Sequence, residues 1–451
     1  MMMWLLKSMK MILPMYKVLL WFALLFPLPG IAALTIDITQ GVDGAVPIAV
    51  VPFGWQASGQ GKNTSAVDIA AIIAADLNRS GRFAPVPRKN LVGRPVHGSQ
   101  VNYVAWRALG VDSVVVGSSK LKPDGTYHVQ FQLMDMFKAE QIIGYTFSAR
   151  RSDLRRIAHQ ISDLIYKALM GVPGAFDTNI SYITVTKNSS NKKTYRLAIA
   201  DSDGFNEKTI LKSSQPLMSP SWSPNNKQLA YVSFSKGRPG IYLQSIVTGK
   251  AQRIASYPGI NGAPTWSPDG TRLAMTLSKD GNAEIYVYDL RSRRLSRLTH
   301  HNAIDTEPTW LPDGSAVIFT SDRGRGPQLY EIRVKSNGQP DGRPKRLTFE
   351  GDYNARAAVS PDGKLVAMVH RNEGRYRIAV LERDTGYVRV LTESRLDESP
   401  SFAPNGSMII YATQHKGRGV LEVVSVDGRA RQRLQLKRGD VREPAWSKYK
   451  Q

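Results

Sequence analysis

Pro264-Thr-Trp266-Ser-Pro268-Asp-Gly270 is preceded 44 residues earlier by Pro220-Ser-Trp222-Ser-Pro224-Asn-Asn226 and followed 44 residues later by Pro308-Thr-Trp310-Leu-Pro312-Asp-Gly314. The pattern returns as Ala357-Ala-Val359-Ser-Pro361-Asp-Gly363 and Pro400-Ser-Phe402-Ala-Pro404-Asn-Gly406, and stops short at Pro444-Ala-Trp446-Ser447. Its anchors fall at 222, 266, 310, 359, 402 and 446, with spacings of 44, 44, 49, 43 and 44. Each copy has hairpin chemistry: Pro fixes φ, Asp or Asn accepts a local backbone hydrogen bond, and Gly supplies the left-handed position. Asn226 stands in for Gly in the first copy, and Asn tolerates φ > 0.

Strand-like runs follow each turn at matching offsets: Leu229–Ser233, Leu273–Leu277, Ala316–Thr320, Leu365–Val369 and Met408–Ala412 form the first set. Four short strands per 44 residues read as a β-propeller blade. Five full intervals make five blades. Ile180–Thr186, Tyr195–Ala200 and Thr209–Leu211 are three strands without a fourth, which the orphan segment around Trp446 supplies, so both chain ends close a sixth blade and remove exposed edges. The longer interval places its extra residues in Lys335–Pro344, a lengthened hairpin. The tryptophans occupy four of the six anchor positions and read as blade-packing anchors.

Upstream the pattern changes. Ser65-x-x-Asp68 reads as a helix start, with Ile69, Ile72, Ile73 and Leu77 on one face and Gly81 past the end. Val111–Val116, Tyr127–Leu133 and Ile142–Phe147 read as strands, and from about Ser152 the residues Leu154, Ile157, Ile161, Leu164, Ile165 and Leu169 keep helical spacing. The fold class is an α/β N-terminal domain at 33–176 followed by an all-β six-bladed propeller at 177–451. Before both, Lys7, Lys10 and Lys17 precede the apolar run Val18–Phe26, with Pro27, Pro29, Gly30, Ala32 and Ala33 after it. This reads as a cleavable signal peptide over 1–32, since nine apolar residues are too few to span a bilayer.

The chain has 451 residues, no cysteine, seven histidines and a formal charge of +23. Absence of cysteine excludes disulfides, thiol nucleophiles and cysteine-ligated metals. The histidines and carboxylates form no metal-ligand spacing, and no G-x-S-x-G accompanies the propeller, so neither a metal, a cofactor nor catalysis is expected. A secreted propeller hydrolase or lactonase is the first alternative. A basic polyanion binder is the second, but Arg150-Arg151, Arg155-Arg156, Arg291–Arg297 and Arg429–Lys437 lack the interleaved aromatics of a nucleic-acid platform, and no nucleic acid is expected.

Several stretches resemble the TolB family of the bacterial Tol-Pal envelope system: Gly41-Val-Asp-Gly-Ala-Val-Pro-Ile-Ala-Val-Val-Pro-Phe53, Ile73-Ala-Ala-Asp-Leu-Asn-Arg-Ser-Gly-Arg-Phe83, Leu217-Met-Ser-Pro220, Asn261-Gly-Ala-Pro264, Thr306-Glu-Pro-Thr-Trp310 and Leu396-Asp-Glu-Ser-Pro400. The resemblance implies a non-enzymatic periplasmic binding protein. Its propeller mouth would receive the outer-membrane lipoprotein Pal, which some colicins imitate, and its mature N-terminal segment would engage inner-membrane TolA. The role implied is outer-membrane integrity and invagination during cell division. The mouth positions implied are Met218, Ser219, Asn261, Gly262, Ala263, Thr306, Glu307, Asp397, Glu398 and Ser399. Arg356, Arg442 and Glu443 join them by repeat symmetry. Glu307, Asp397, Glu398 and Glu443 are expected to form an acidic cluster. Ile260 departs from the family pattern, which carries a polar or basic residue there. Leu34, Thr35, Ile36, Asp37, Ile38 and Thr39 alternate apolar and polar residues, as a first sheet strand or as a detachable strand for a partner's sheet edge; the resemblance assigns them to TolA.

Overall fold

Six four-stranded antiparallel sheets follow one another along the chain in the computed structural model, which describes residues 44–56, 67–436 and 439–450. Blade 1 is built from both ends of the propeller segment: Asp440–Trp446 pairs with Asn179–Lys187, which continues to Lys193–Asp201 and Lys208–Ser213. Blades 2 to 6 begin with the innermost strands Leu217–Trp222, Asn261–Trp266, Asp305–Trp310, Tyr353–Val359 and Asp397–Phe402. The closure expected at Trp446 is therefore present, with Trp446 opposite Ile180. The extra residues of the long interval lengthen the Gln328–Val334 to Pro340–Arg346 hairpin.

The repeated turn explains how blades lock to one another. A Cβ placed on Gly270, Gly314, Gly363 or Gly406 would lie 3.5–3.8 Å from the ring of Pro224, Pro268, Pro312 or Pro361 in the preceding blade. All four glycines have positive φ, so they serve the turn and the packing together. Asn226 has φ 56 and uses its amide differently. It donates to the carbonyls of Lys448 and Tyr449 and accepts from the Lys448 amide, clipping the C-terminal residues to blade 2. The anchor tryptophans are buried, and three of their indole N–H groups reach neighbouring segments: Trp222 to Ala445 O, Trp266 to Ser221 O and Trp446 to Thr178 Oγ1.

The N-terminal part centres on a six-stranded sheet ordered Phe83–Pro85, Val46–Val50, Ser113–Leu121, Tyr127–Asp135, Glu140–Ala149, with Gly54–Gln56 added to Ser113–Leu121. Alternation splits its core between two faces. Val50, Val115, Val129 and Phe131 pack with the helices Ile69–Arg79 and Leu154–Met170, whereas Val114, Val116 and Met134 pack with Trp106 of the short helix Tyr103–Ala108. The helix cap is Asp68, whose side chain accepts from the Ala71 amide; Ser65 lies outside the described residues. The first apolar cluster runs on without a break into blades 1 and 6 through Phe176, Ile180, Ile410, Leu421 and Trp446. No helix among the described residues is long and apolar enough to cross a membrane.

Candidate functional site

The residue three positions before each blade anchor is left-handed without being glycine. Ser219, Ala263, Glu307, Arg356, Ser399 and Glu443 have φ between 45 and 56. Each lies in a bulge where the innermost strand gains one residue over its partner. Such backbone costs on the order of 1 kcal/mol per residue, so the ring is over-determined by its surroundings. The bulge turns these residues toward a cavity of about 500 Å³ at one end of the channel. A second opening of about 580 Å³ lies on the anchor side, bordered by Trp222, Trp266, Trp310, Phe402 and Trp446. Pro220, Pro264, Pro308, Ala357, Pro400 and Pro444 line both and form the collar between them.

The mouth has two halves. Met218, Val232, Phe234, Ile260, Gly262 and Ala263 make an apolar half on blades 2 and 3, with Ile260 half exposed at its rim. The other half is ionic. Arg356 Nε lies 2.9 Å from Glu307 Oε1, and its Nη1 donates to Ser399 Oγ at 2.5 Å. Glu307 Oε2 also accepts the Arg356 amide at 3.1 Å and the Thr320 hydroxyl at 3.1 Å. Glu443 Oε2 accepts the Ser219 amide at 2.6 Å. Burial acts to lower the guanidinium pKa of Arg356, but the charges of Glu307, Glu443 and Glu398 outweigh it and hold it above the usual value.

Most of the sequence-selected residues meet here, with corrections. Met218, Ser219, Asn261, Gly262, Ala263, Thr306, Glu307, Arg356, Ser399 and Glu443 line the cavity, and Asp397, Glu398 and Arg442 are absent from its lining. Asp397 is fully buried inside blade 6, where it accepts from Thr392 Oγ1; burial pushes its carboxyl up. It sits two positions before the left-handed residue, as do Asn261, Asp305 and Asn354, whose side chains tie the top turns of their blades. Of the expected acidic cluster, Asp397 is withdrawn into its blade, while Glu307, Glu443 and Glu398 set their charges around the Arg356 cation. Leu34, Thr35, Ile36, Asp37, Ile38 and Thr39, with the signal segment 1–32, lie outside the described residues.

A second polar assembly went unseen in the sequence because its members are far apart in the chain. The helix Leu154–Met170 presents Arg155, His159 and Asp163 along one face at four-residue steps. His159 is buried, with Nδ1 at 2.7 Å from Asp76 Oδ2 and Nε2 at 3.6 Å from Asp203 Oδ2. Arg79 bridges Asp76 and Ser202, and Arg155 pairs with Asp203 while stacking 4.0 Å from Phe205. Asp163 accepts the amides of Phe176 and Asp177 at 2.7 and 3.0 Å. His159, Asp201 and Asp203 come within metal-binding distance of one another. Arg79 and Arg155 already bring cations to this cluster, and its arrangement is that of an ionic joint between the α/β part and blade 1.

The TolB amino-terminal domain model matches residues 34–142, and the TolB β-propeller domain model matches 166–450. The chain belongs to the TolB family. It is 52% identical over 445 residues to the Tol-Pal system protein TolB of Xanthomonas campestris pv. campestris strain B100, covering 97% of this chain and 99% of that one. The TolB of Xanthomonas oryzae pv. oryzae strain MAFF 311018 shows the same identity and coverage. The crystal structure of Acinetobacter baumannii TolB aligns with a TM-score of 0.82 at 43% identity, over 92% of this chain and 99% of that one. TolB membership places the chain in the Tol-Pal system, as a non-enzymatic component and not among the hydrolase or lactonase propellers.

Proposed function

We propose that this chain is a periplasmic scaffold that joins the outer-membrane lipoprotein Pal to inner-membrane TolA, with Pal at the propeller mouth. In this reading residues 1–32 are removed on export, 33–176 form the N-terminal domain and 177–451 the propeller. The mouth carries the proposal: eight of its residues come from the loops that the family resemblance assigns to Pal, Arg356 and Glu443 join them by repeat symmetry, and all ten gather at one end of one channel. Its mixed lining, apolar on blades 2 and 3 and ionic on blades 4 to 6 and 1, suits a protein surface better than a small metabolite. Outer-membrane integrity and invagination during division follow from the same linkage.

Leu34–Thr39 is the proposed TolA segment, acting by strand addition to a partner's sheet edge. Deleting these six residues from the mature protein should abolish TolA binding in calorimetry and leave Pal binding intact. Undiminished TolA binding by the deletion variant would refute the assignment.

A further inference from the structure

The six left-handed residues of the mouth differ in what their backbone amides meet. Ser219 N–H donates to Glu443 of the preceding blade, and Arg356 N–H donates to Glu307 of its preceding blade. A threonine on the second strand of the preceding blade plays the same part: Thr276 Oγ1 accepts the Glu307 amide at 3.2 Å, and Thr320 Oγ1 accepts the Arg356 amide at 3.2 Å. Glu443, Glu307 and Thr276 line the cavity, so these amides are turned toward it.

At the other three positions neither device exists. Before Ala263 the corresponding residues are Ser219 and Val232; before Ser399 they are Arg356 and Val369; before Glu443 they are Ser399 and Ala412. Among the described residues no side chain accepts from the amides of Ala263, Ser399 or Glu443, although Ala263, Ser399 and Glu443 all line the mouth. Val232, Val369 and Ala412 are buried. The equivalent amides of Ser219, Glu307 and Arg356 each meet a side-chain acceptor, so by the symmetry of the repeat these three are donors that the mouth offers to an incoming acceptor.

We infer that the mouth recognises exposed main-chain carbonyl groups of its partner, which complete the three amide positions that Val232, Val369 and Ala412 leave open. This rests on the binding-mouth reading above and names the chemistry that the partner brings. Glu307 and Glu443 already place negative charge in the ring, which disfavours a carboxylate and favours a neutral acceptor such as the carbonyls at a turn. Met218 and Ile260, both exposed beside Ala263, receive an apolar side chain flanking that turn.

The molecule supplies the test, because threonine is already tolerated at the same place in blades 3 and 4. Val232→Thr and Val369→Thr give the open amides an internal acceptor, as Thr276 and Thr320 do. Each should weaken Pal about three- to tenfold in calorimetry, with an unchanged melting temperature, since a hydrogen bond contributes on that order. Equal Pal affinity in wild type and both variants overturns the inference and leaves the mouth reading standing. A measurement without Pal separates the two: TROSY spectra of the wild type titrated with N-methylacetamide, and in parallel with acetate. The amides of Ala263, Ser399 and Glu443 should shift with N-methylacetamide, with the first two shifts suppressed in Val232→Thr and Val369→Thr respectively. No shift, or a selective response to acetate instead, overturns the carbonyl assignment. Shifts as expected in a protein that fails to bind Pal would support the acceptor site and remove the Pal reading alone.

Discussion

Glu443 Oε2 lies 2.6 Å from the backbone nitrogen of Ser219, 224 positions away in the chain, and so joins the closing blade to its neighbour at the channel mouth. The same glutamate lends its charge to Arg356 across the opening. One carboxylate thus serves the ring's closure and its electrostatics.

Glu443→Ala leaves the Ser219 amide without its acceptor and removes a countercharge from Arg356. We expect a loss of about 1–3 kcal/mol in urea-induced unfolding. Glu443→Gln keeps an acceptor oxygen and should recover much of that loss.

Closure itself is tested at Trp446, whose indole donates to buried Thr178 Oγ1 at 2.8 Å. Trp446→Ala opens a cavity in the blade that closes the ring and removes the donor to that hydroxyl, which keeps only its own bond to the Ala175 carbonyl. Destabilisation of about 3–5 kcal/mol is expected in denaturant titration. A loss below about 1 kcal/mol would mean that closure depends little on this strand.

The ionic joint predicts a pH dependence. Burial pulls the His159 pKa down, but the charge and hydrogen bond of Asp76, with the charge of Asp203, raise it above its ordinary value of 6.5. The contribution of His159 to stability is therefore complete below pH 6.5 and is lost as pH rises through its folded value. Asp203 has the opposite sense: burial raises its pKa, but His159, Arg79 and Arg155 hold it below 3.8, so its contribution is present above that value and disappears in acid. His159→Gln should lower the melting temperature most at mildly acidic pH, with a difference from wild type that shrinks as the solution is made alkaline.

Asp163 is pushed up to about 7, because burial outweighs the amides of Phe176 and Asp177. Its contribution is complete below 3.8 and is lost as pH rises through about 7. Asp163→Asn should flatten the stability profile around neutrality in thermal melts. The packing there is close: a Cβ on Gly174 would lie 2.4 Å from Asp163 Oδ1. Gly174→Ala should cost about 1–3 kcal/mol in the same assay.

The propeller was legible because its period repeats: each of five Pro-Asp/Asn turns fixes a hairpin locally, and the sixth anchor at Trp446 marks where the ring closes. The joint was not, because Asp76, His159 and Asp203 share no spacing and meet only when the helices dock. Within the mouth, sequence offset located the loops but not the direction of each side chain. Asp397 and Glu307 both precede an anchor, yet the bulge sends Glu307 into the channel while Asp397 stays in its blade. The left-handed ring left no compositional mark, since six different local sequences carry it and none uses glycine at that position. Val46–Val50 is a central strand of the N-terminal sheet, hidden from periodicity because both its faces are covered.

Binding of Pal at the mouth is tested by calorimetric titration of the mature protein with the periplasmic domain of Pal, beside Glu307→Lys. The lysine would face Arg356 and remove the acceptor that now holds its amide and guanidinium. Wild type should bind one-to-one, and the variant should bind with an affinity at least about tenfold lower. No binding by folded wild type, or equal affinity in the two proteins, would contradict binding of Pal at the mouth.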